Sequence, residues 1–360
     1  MSRWRRELWT LERLHLLGRR LGEYRIGDFF DVRDRAGERI STNIFYAAKN
    51  GASASLDPAP LRHTYKRPVL RWFGARHGKK HRVASKVWFI TGTSKGFGRV
   101  WAEAALERGD RVAATARDAA SIRALEERFG DRAAAIVLDV TEKSAVDAAV
   151  AQTIERFGRI DVAINNAGYG LFGAVEEVSE AEARAQLETN LFGALWVTQA
   201  VLPHMREQKS GHIIQVSSIG GVNAFPTVGM YHASKWALEG FSQSLAQEVA
   251  PFGISVTLVE PGGYATEWGG ASAKRAAPLP AYDAARAAIA SFRKNIVPGD
   301  PDATGAAILK LVDAENPPLR IFFGSEGLPM TRAEYARRIE TWEKWNELSV
   351  EAQGDLAAKK

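Results

Sequence analysis

From Lys86 onward the chain alternates short apolar runs with segments of helical period, and this alternation constrains the fold more than any other feature. Val87–Ile90 is the first apolar run. The glycine-rich stretch Thr91-Gly-Thr-Ser-Lys-Gly-Phe-Gly98 follows it. Phe97, Val100, Trp101, Ala104 and Ala105 then recur at the spacing of one helix face, and Gly109 is placed to end that helix. Further strands are expected at Arg111–Thr115, Ala134–Leu138, Ile160–Ile164, Ile213–Val216, Ile254–Val259 and Ile321–Phe323. Helices are expected at Ser144–Phe157, at Glu180–Glu207 with an interruption at Pro203, and at Met230–Ala250. Strands that are apolar throughout, separated by helices, belong in a parallel sheet covered on both faces. The expected fold class is therefore α/β, a doubly wound parallel sheet of about seven strands. Ligands in such sheets bind beyond the carboxyl ends of the strands, where the residues discussed next fall.

The turn between the first strand and first helix has the residues a dinucleotide phosphate requires. Gly92 permits a tight turn, Gly96 lets the backbone approach a pyrophosphate, and Gly98 allows the helix to pack closely on the strand. Ser94, Lys95 and Phe97 complete the turn, and the helix N-terminus faces the phosphate. The second strand ends Ala114-Thr115-Ala116-Arg117, where a dinucleotide without a 2′-phosphate usually meets a carboxylate. Arg117 at that place and Lys95 inside the turn suit a 2′-phosphate, so NADP(H) is expected over NAD(H). The plainer alternative is a surface Arg117 held in a salt bridge, with Asp118 next in sequence.

Tyr231 and Lys235 lie four residues apart, hence on one face of a helix, and Ser218 lies upstream of them. An ammonium beside a phenol favours the phenolate. Bringing a phenol from near 10 to near 7 takes about 4 kcal/mol, at roughly 1.4 kcal/mol per unit. Ser218 would hold a carbonyl or alcohol oxygen beside the phenol, a proton-transfer site for carbonyl–alcohol chemistry. Alone, the Tyr–Lys spacing is a weak signal, because both residues are common on helices.

Taken together, these motifs resemble the short-chain dehydrogenase/reductase family over residues 86–330. The resemblance rests on Thr91–Gly98, Asp139-Val140, Asn165-Asn-Ala-Gly168, Asn190, Ser217-Ser218, Tyr231–Lys235, and Pro261-Gly262 with Thr266, in that order along the chain. It implies a Rossmann-like domain and hydride transfer between a nicotinamide and a carbonyl or secondary alcohol. It also implies a role for each position. Asp139 and Val140 would meet the adenine, and the Asn166-Ala167-Gly168 backbone would flank the cofactor. Ser218 would orient the substrate oxygen, with Ser217 the adjacent alternative. Tyr231 would donate or accept the proton. Lys235 would hold the nicotinamide ribose and depress the Tyr231 pKa, and Asn190 would complete a proton relay. Pro261, Gly262 and Thr266 would place the nicotinamide carboxamide. The family places a mobile substrate lid at residues 263–295, where Trp268, Tyr282 and Phe172 are candidates for an apolar pocket wall, with Phe225-Pro226 also near the substrate. The helices bearing Asn190 and Tyr231 are where the family forms homodimers or homotetramers. A reductase of acyl-carrier 3-oxo thioesters is the second enzyme reading. A non-catalytic cofactor-sensing regulator is the third, disfavoured because Asn190, Ser218, Tyr231 and Lys235 are all kept.

The net charge of +6 is uneven. Residues 1–86 carry 20 Lys/Arg against 8 Asp/Glu, whereas residues 87–360 carry 28 against 34. The basic excess therefore belongs to the N-terminal part and is no argument for nucleic-acid binding by the domain. Residues 1–85 read as a loosely ordered basic extension, of the kind an early start codon adds, with a short amphipathic helix over residues 1–24. A basic arm for an anionic surface is the alternative. No apolar run nears the roughly 18 residues of a membrane span. No secretory signal pattern opens the chain, and there is no cysteine, so a cytoplasmic location is expected. None of the seven His has metal-ligand spacing, and no metal is expected. His232 is read as structural, and His204 and His212 as capping or solvated. Glu176, Glu177 and Glu180 are read as a solvated loop and helix start. Trp342, Trp345 and Leu348 are read as the packing face of a C-terminal helix within residues 331–360.

Overall fold

The computed structural model describes residues 85–270, 272–294 and 297–354, together with a short antiparallel pairing of Val32–Arg33 with Arg39–Ile40. That pairing belongs to a unit spanning Met1–Lys79; everything below belongs to the second unit, Lys80–Lys360. The amphipathic helix expected over residues 1–24, the loose order expected of residues 1–85 as far as residue 84, and the tail beyond Gly354 lie outside the described residues apart from that pairing.

Seven parallel strands form the sheet: β1 (Val87–Thr91), β2 (Arg111–Ala116), β3 (Ala133–Val137), β4 (Val162–Asn165), β5 (Gly211–Val216), β6 (Ile254–Pro261) and β7 (Arg320–Phe323). Their spatial order is β3-β2-β1-β4-β5-β6-β7. The sheet grows one way from β1 through β2 to β3 and the other way from β4 to β7. The reversal between β1 and β4 opens a crevice at their carboxyl ends. The expected α/β doubly wound sheet of about seven strands is present, with strand ends displaced by one or two residues.

The sheet is buried because its strands are apolar on both faces. All five residues of β1 are buried, and the four apolar ones alternate between two cores. Val87 and Phe89 join Ala163, Val201, Ile213 and Leu245 on one face. Trp88 and Ile90 join Trp101, Leu106, Ile214 and Ile308 on the other. Helices α1 (Gly96–Arg108) and α8 (Ala303–Val312) cover the second face, where the Trp101 indole N–H donates to Thr304 at 2.8 Å. Helices α3 (Lys143–Phe157), α5 (Gly193–Gln208) and α6 (Gly229–Val249) cover the first. Truncating a fully buried strand residue such as Ile90 to Ala would cost about 2–5 kcal/mol.

The remaining helices are α2 (Ala120–Phe129), α4 (Glu180–Leu187), α7 (Asp283–Lys294), α9 (Gly327–Lys344) and α10 (Asn346–Gln353). Two expectations fail here. Pro203 does not interrupt its helix but sits inside α5. The irregularity is a π-helical turn over Glu188–Phe192, joining α4 to α5 around Asn190. The C-terminal helix starts at Gly327, and its aromatic run is not packed on the body. Trp342, Trp345 and Leu348 remain 65%, 58% and 52% exposed. Contacts from α9 to the body include Thr331, bonded by Asn223 at 2.7 Å, and Arg338, stacked over Trp236. The aromatic run lies beyond both.

Candidate active site

The glycine turn is fixed by a threonine and an asparagine. The Thr91 hydroxyl accepts from the backbone N–H of Asn166 and of Ala167, both at 3.0 Å. The Asn166 side chain donates to the carbonyls of Thr91 and Gly92, both at 2.9 Å. Segment Asn166–Gly168 is thereby pressed against the turn. A Cβ at Gly98 would stand 2.4 Å from the Gly92 oxygen, so only glycine fits there. Gly92 has φ +70° and lies against Ala167. Helix α1 begins without a side-chain cap and without an acid in its first turn. Its free N–H groups and positive dipole end suit an anion. Thr93 bonds the Thr115 carbonyl through both its N–H, at 2.9 Å, and its hydroxyl, at 3.1 Å, drawing the turn to the end of β2.

Ser94, Lys95 and Arg117 are exposed around this turn. Among the described residues Arg117 has no salt-bridge partner, so the alternative expected for it is not met there. Asp118 instead accepts the Ala120 N–H at the start of α2, at 3.0 Å. The Phe97 ring stacks on Trp101 and meets Tyr264 edge-on. Asp139 folds onto Thr141, accepting its N–H at 3.0 Å and its hydroxyl at 2.8 Å. Val140 is buried against Gly193.

The residues expected to carry the proton converge at the ends of β4 and β5. Asn190, 2% exposed, sits in the π turn. Its side-chain oxygen accepts the Tyr169 N–H at 3.1 Å, and its amide donates to the Tyr169 carbonyl at 3.0 Å and to Ser234 at 3.2 Å. Lys235 is buried on α6 and donates to the Val216 carbonyl at 2.7 Å. Gly168 lies between them: a Cβ there would stand 3.1 Å from the Asn190 oxygen and 3.8 Å from the Lys235 nitrogen. Ser218 follows β5, its hydroxyl accepting the Gly220 N–H at 2.9 Å and bonding the Tyr231 phenol. Ser217, the weighed alternative, points elsewhere, toward Glu239.

The electrostatics correct one expectation. The sequence spacing predicts a Tyr231 phenol drawn toward 7 by Lys235. Burial instead pushes it up to about 12, and only the hydrogen bond to Ser218 pulls against this. Desolvation disfavours the phenolate, and the Lys235 nitrogen lies 5.9 Å from the ring centroid with its charge directed at a carbonyl. Lys235 is itself pushed down to about 8 by burial, with Glu239 partly restoring it. His232 bridges the Gly220 carbonyl and the Phe225 N–H at 2.8 Å each, a structural role as expected. His212 departs from its expected place. It is buried in β5 against Thr257 at 2.9 Å, and burial pushes it down to about 4.

Over Tyr231 stands the segment after β6. Pro261 ends that strand, and the Gly262 N–H bonds the Phe323 carbonyl at 2.9 Å. Thr266 accepts the Trp268 N–H at 3.4 Å. The Trp268 ring meets Tyr231 edge-on at 4.9 Å and Phe172 at 5.4 Å. Tyr282 does not join this wall, because its hydroxyl is bonded to Glu176. Glu177 is not solvated either. Its side chain is 1% exposed and accepts the N–H groups of Ala174 and Leu279, both at 2.7 Å, as well as Arg286. It therefore ties the segment before α7 to the loop after β4. Thr91, Thr93 and Glu177 were not legible as site residues, since each acts through a partner distant in sequence. The same holds for Glu326, which accepts the Gly263 N–H at 3.0 Å.

The chain is similar to several known proteins. The family described as short chain dehydrogenase matches residues 86–277. An oxidoreductase of Botryotinia fuckeliana, BOA17, is 44% identical over 270 residues, 74% of this chain and 98% of that protein. A 3-ketodihydrosphingosine reductase of Bacteroides thetaiotaomicron is 39% identical over 270 residues, 71% of this chain and 97% of that protein. The crystal structure of a gluconate 5-dehydrogenase from Burkholderia cenocepacia, in complex with NADP and tartrate, superposes with a TM-score of 0.57 at 28% identity. It covers 66% of this chain and 93% of its own.

Proposed function

The chain belongs to the short-chain dehydrogenase family, and from that premise we propose that it reduces a ketone to a secondary alcohol with NADPH, Tyr231 supplying the proton. The observation that carries this reading is the continuous path from the glycine turn through Asn166–Gly168 to Lys235, Tyr231 and Ser218. The uncapped start of α1 and the close-packed Gly98 fit a dinucleotide phosphate. NADPH, when bound, supplies the hydride.

The protein's residues do the rest. Ser218 holds the carbonyl oxygen in place beside the phenol. Tyr231, held near 12 by burial, is protonated at neutral pH and so carries the proton that the carbonyl oxygen takes up on reduction. As the proton leaves, the Lys235 ammonium stabilises the phenolate. The path by which Tyr231 is reprotonated runs through Lys235 past Gly168 to Asn190. Asp139 and Val140 would hold the adenine end of the cofactor, and Pro261, Gly262 and Thr266 its nicotinamide end.

Lys95 and Arg117 select the 2′-phosphate. Both are exposed and cationic, and neither makes an ion pair with a described residue. Trp268 and Phe172 form an aromatic wall beside the phenol and favour an apolar group on the ketone. The relative named as a 3-ketodihydrosphingosine reductase supports a 3-oxo compound with such a group. The test is oxidation of NADPH and of NADH against a panel of simple ketones, long-chain 3-oxo compounds and 3-oxo thioesters. We expect turnover with NADPH and apolar ketones, and loss of the NADPH preference in Lys95→Ala/Arg117→Ala. Equal use of both cofactors by the wild type, or an unchanged preference in the double variant, contradicts the assignment of those two cations.

A further inference from the structure

Two buried glutamates behind Lys235 take no part in the chemistry above. Glu239 lies on α6 one turn beyond Lys235, so Tyr231, Lys235 and Glu239 occupy successive turns of one helix face. Glu260 lies on β6 and faces Glu239 across a single guanidinium nitrogen, the Arg320 Nε, which both carboxyls approach. They are 5% and 1% exposed. One cation serves both. Arg320 of β7 donates to Glu239 at 2.8 Å and approaches Glu260 at 3.6 Å, while its other end bonds Gln243. The charged groups facing the pair are therefore Arg320 from β7 and Lys235 from its own helix, and Ser217 after β5 contributes a hydroxyl. Glu239 Oε1, Glu260 Oε1 and Ser217 Oγ lack a well-formed hydrogen bond to any described residue.

Two ionised carboxylates that share one N–H are a donor short and repel each other. A single proton shared by the pair supplies the missing donor and leaves one negative charge. Arg320 pairs with that charge from the β7 side, and the Glu239 carboxylate still acts on Lys235, one helical turn away on the same helix face.

We propose that Glu239 and Glu260 hold one proton between them, and that the resulting single negative charge is a positioning device that keeps Lys235 an ammonium. Glu260 is the protonated member. Burial and the Glu239 charge push it up to about 8, whereas Glu239 has the stronger bond to Arg320. The sign for Lys235 follows. Burial alone takes its ammonium down, and Glu239 raises it again. With that charge removed, Lys235 loses its proton at lower pH, and Tyr231 loses the charge that stabilises its phenolate.

The activity part of the test rests on the reductase reading given above; the spectroscopic part does not. In the wild type, infrared spectra are expected to show a protonated carboxyl at pH 7. That band should fade as pH rises through about 8 and be missing from Glu260→Gln at pH 7. No such band in the wild type, or a band that persists in Glu260→Gln, overturns the shared proton. In turnover, Glu239→Gln is expected to move the alkaline limb of kcat/KM down by about one pH unit, the scale of a nearby charge. Glu260→Gln should move it less, because the carboxyl it replaces is already neutral. Equal loss at every pH in both variants, with the limb unmoved, would mean a purely structural pair. If Glu239→Gln does not fold, the wild-type and Glu260→Gln spectra decide the matter alone. If no carbonyl compound is turned over, the reductase reading fails while the spectra still decide the proton.

Discussion

Tyr231 shows how far a motif differs from its setting. The spacing to Lys235 places a charge near the phenol, but the same helix face buries the phenol in contact with Ser218 and Trp268. Desolvation outweighs a charge whose nearest bond is to the Val216 carbonyl. His212 follows the same physics with the opposite sign of charge. Its folded value, about 4, lies below the ordinary value of 6.5. A neutral buried imidazole contributes stability that is complete above about 6.5 and is lost as pH falls toward 4, on the order of 3 kcal/mol in all. Urea unfolding at pH 7 and at pH 4.5 should show this loss in the wild type. His212→Gln, which keeps a partner for Thr257, should lose less. Identical acid losses in the two proteins would place the effect elsewhere.

Individual elements were legible to different degrees. The strands β1 to β7 could be read because their apolar runs are continuous, and the glycine turn because it lies between a strand and a helix. The π turn at Glu188–Phe192 could not, since an added residue in a helical turn leaves no compositional trace and Pro203 drew the expected break instead. Nor could the role of Glu177, whose partners Leu279 and Arg286 lie about a hundred residues further on. Sequence alone shows an acid beside other acids, which reads as a solvated loop. Its carboxyl is held below the usual carboxylate range, first by the Leu279 N–H. Glu177→Ala should therefore release the segment before α7. Hydrogen exchange should speed up at Leu279 and its neighbours, and KM for the ketone should rise several-fold with cofactor affinity kept. Unchanged exchange there would show that the segment is held by other contacts.

At the scale of the whole molecule, the site is a consequence of strand order. The sheet turns both ways from β1 and β4, and the segments that follow β1, β4, β5 and β6 meet at the carboxyl edge. The glycine turn, Asn166–Gly168, Ser218 and Pro261–Gly262 are those four segments. The sequence order of the motifs was readable for this reason. What was not readable is how the chain closes behind them: Glu239, Glu260 and Arg320 come from α6, β6 and β7 and meet only in the folded sheet. In the proposed reaction Tyr231 stands where the substrate oxygen and the dinucleotide would meet. Tyr231→Phe, which removes only the phenolic oxygen, tests this assignment most directly, by NADPH titration and by turnover of an accepted ketone. We expect NADPH to bind nearly as in the wild type and turnover to be abolished. Turnover retained in Tyr231→Phe would contradict the assignment of the proton donor.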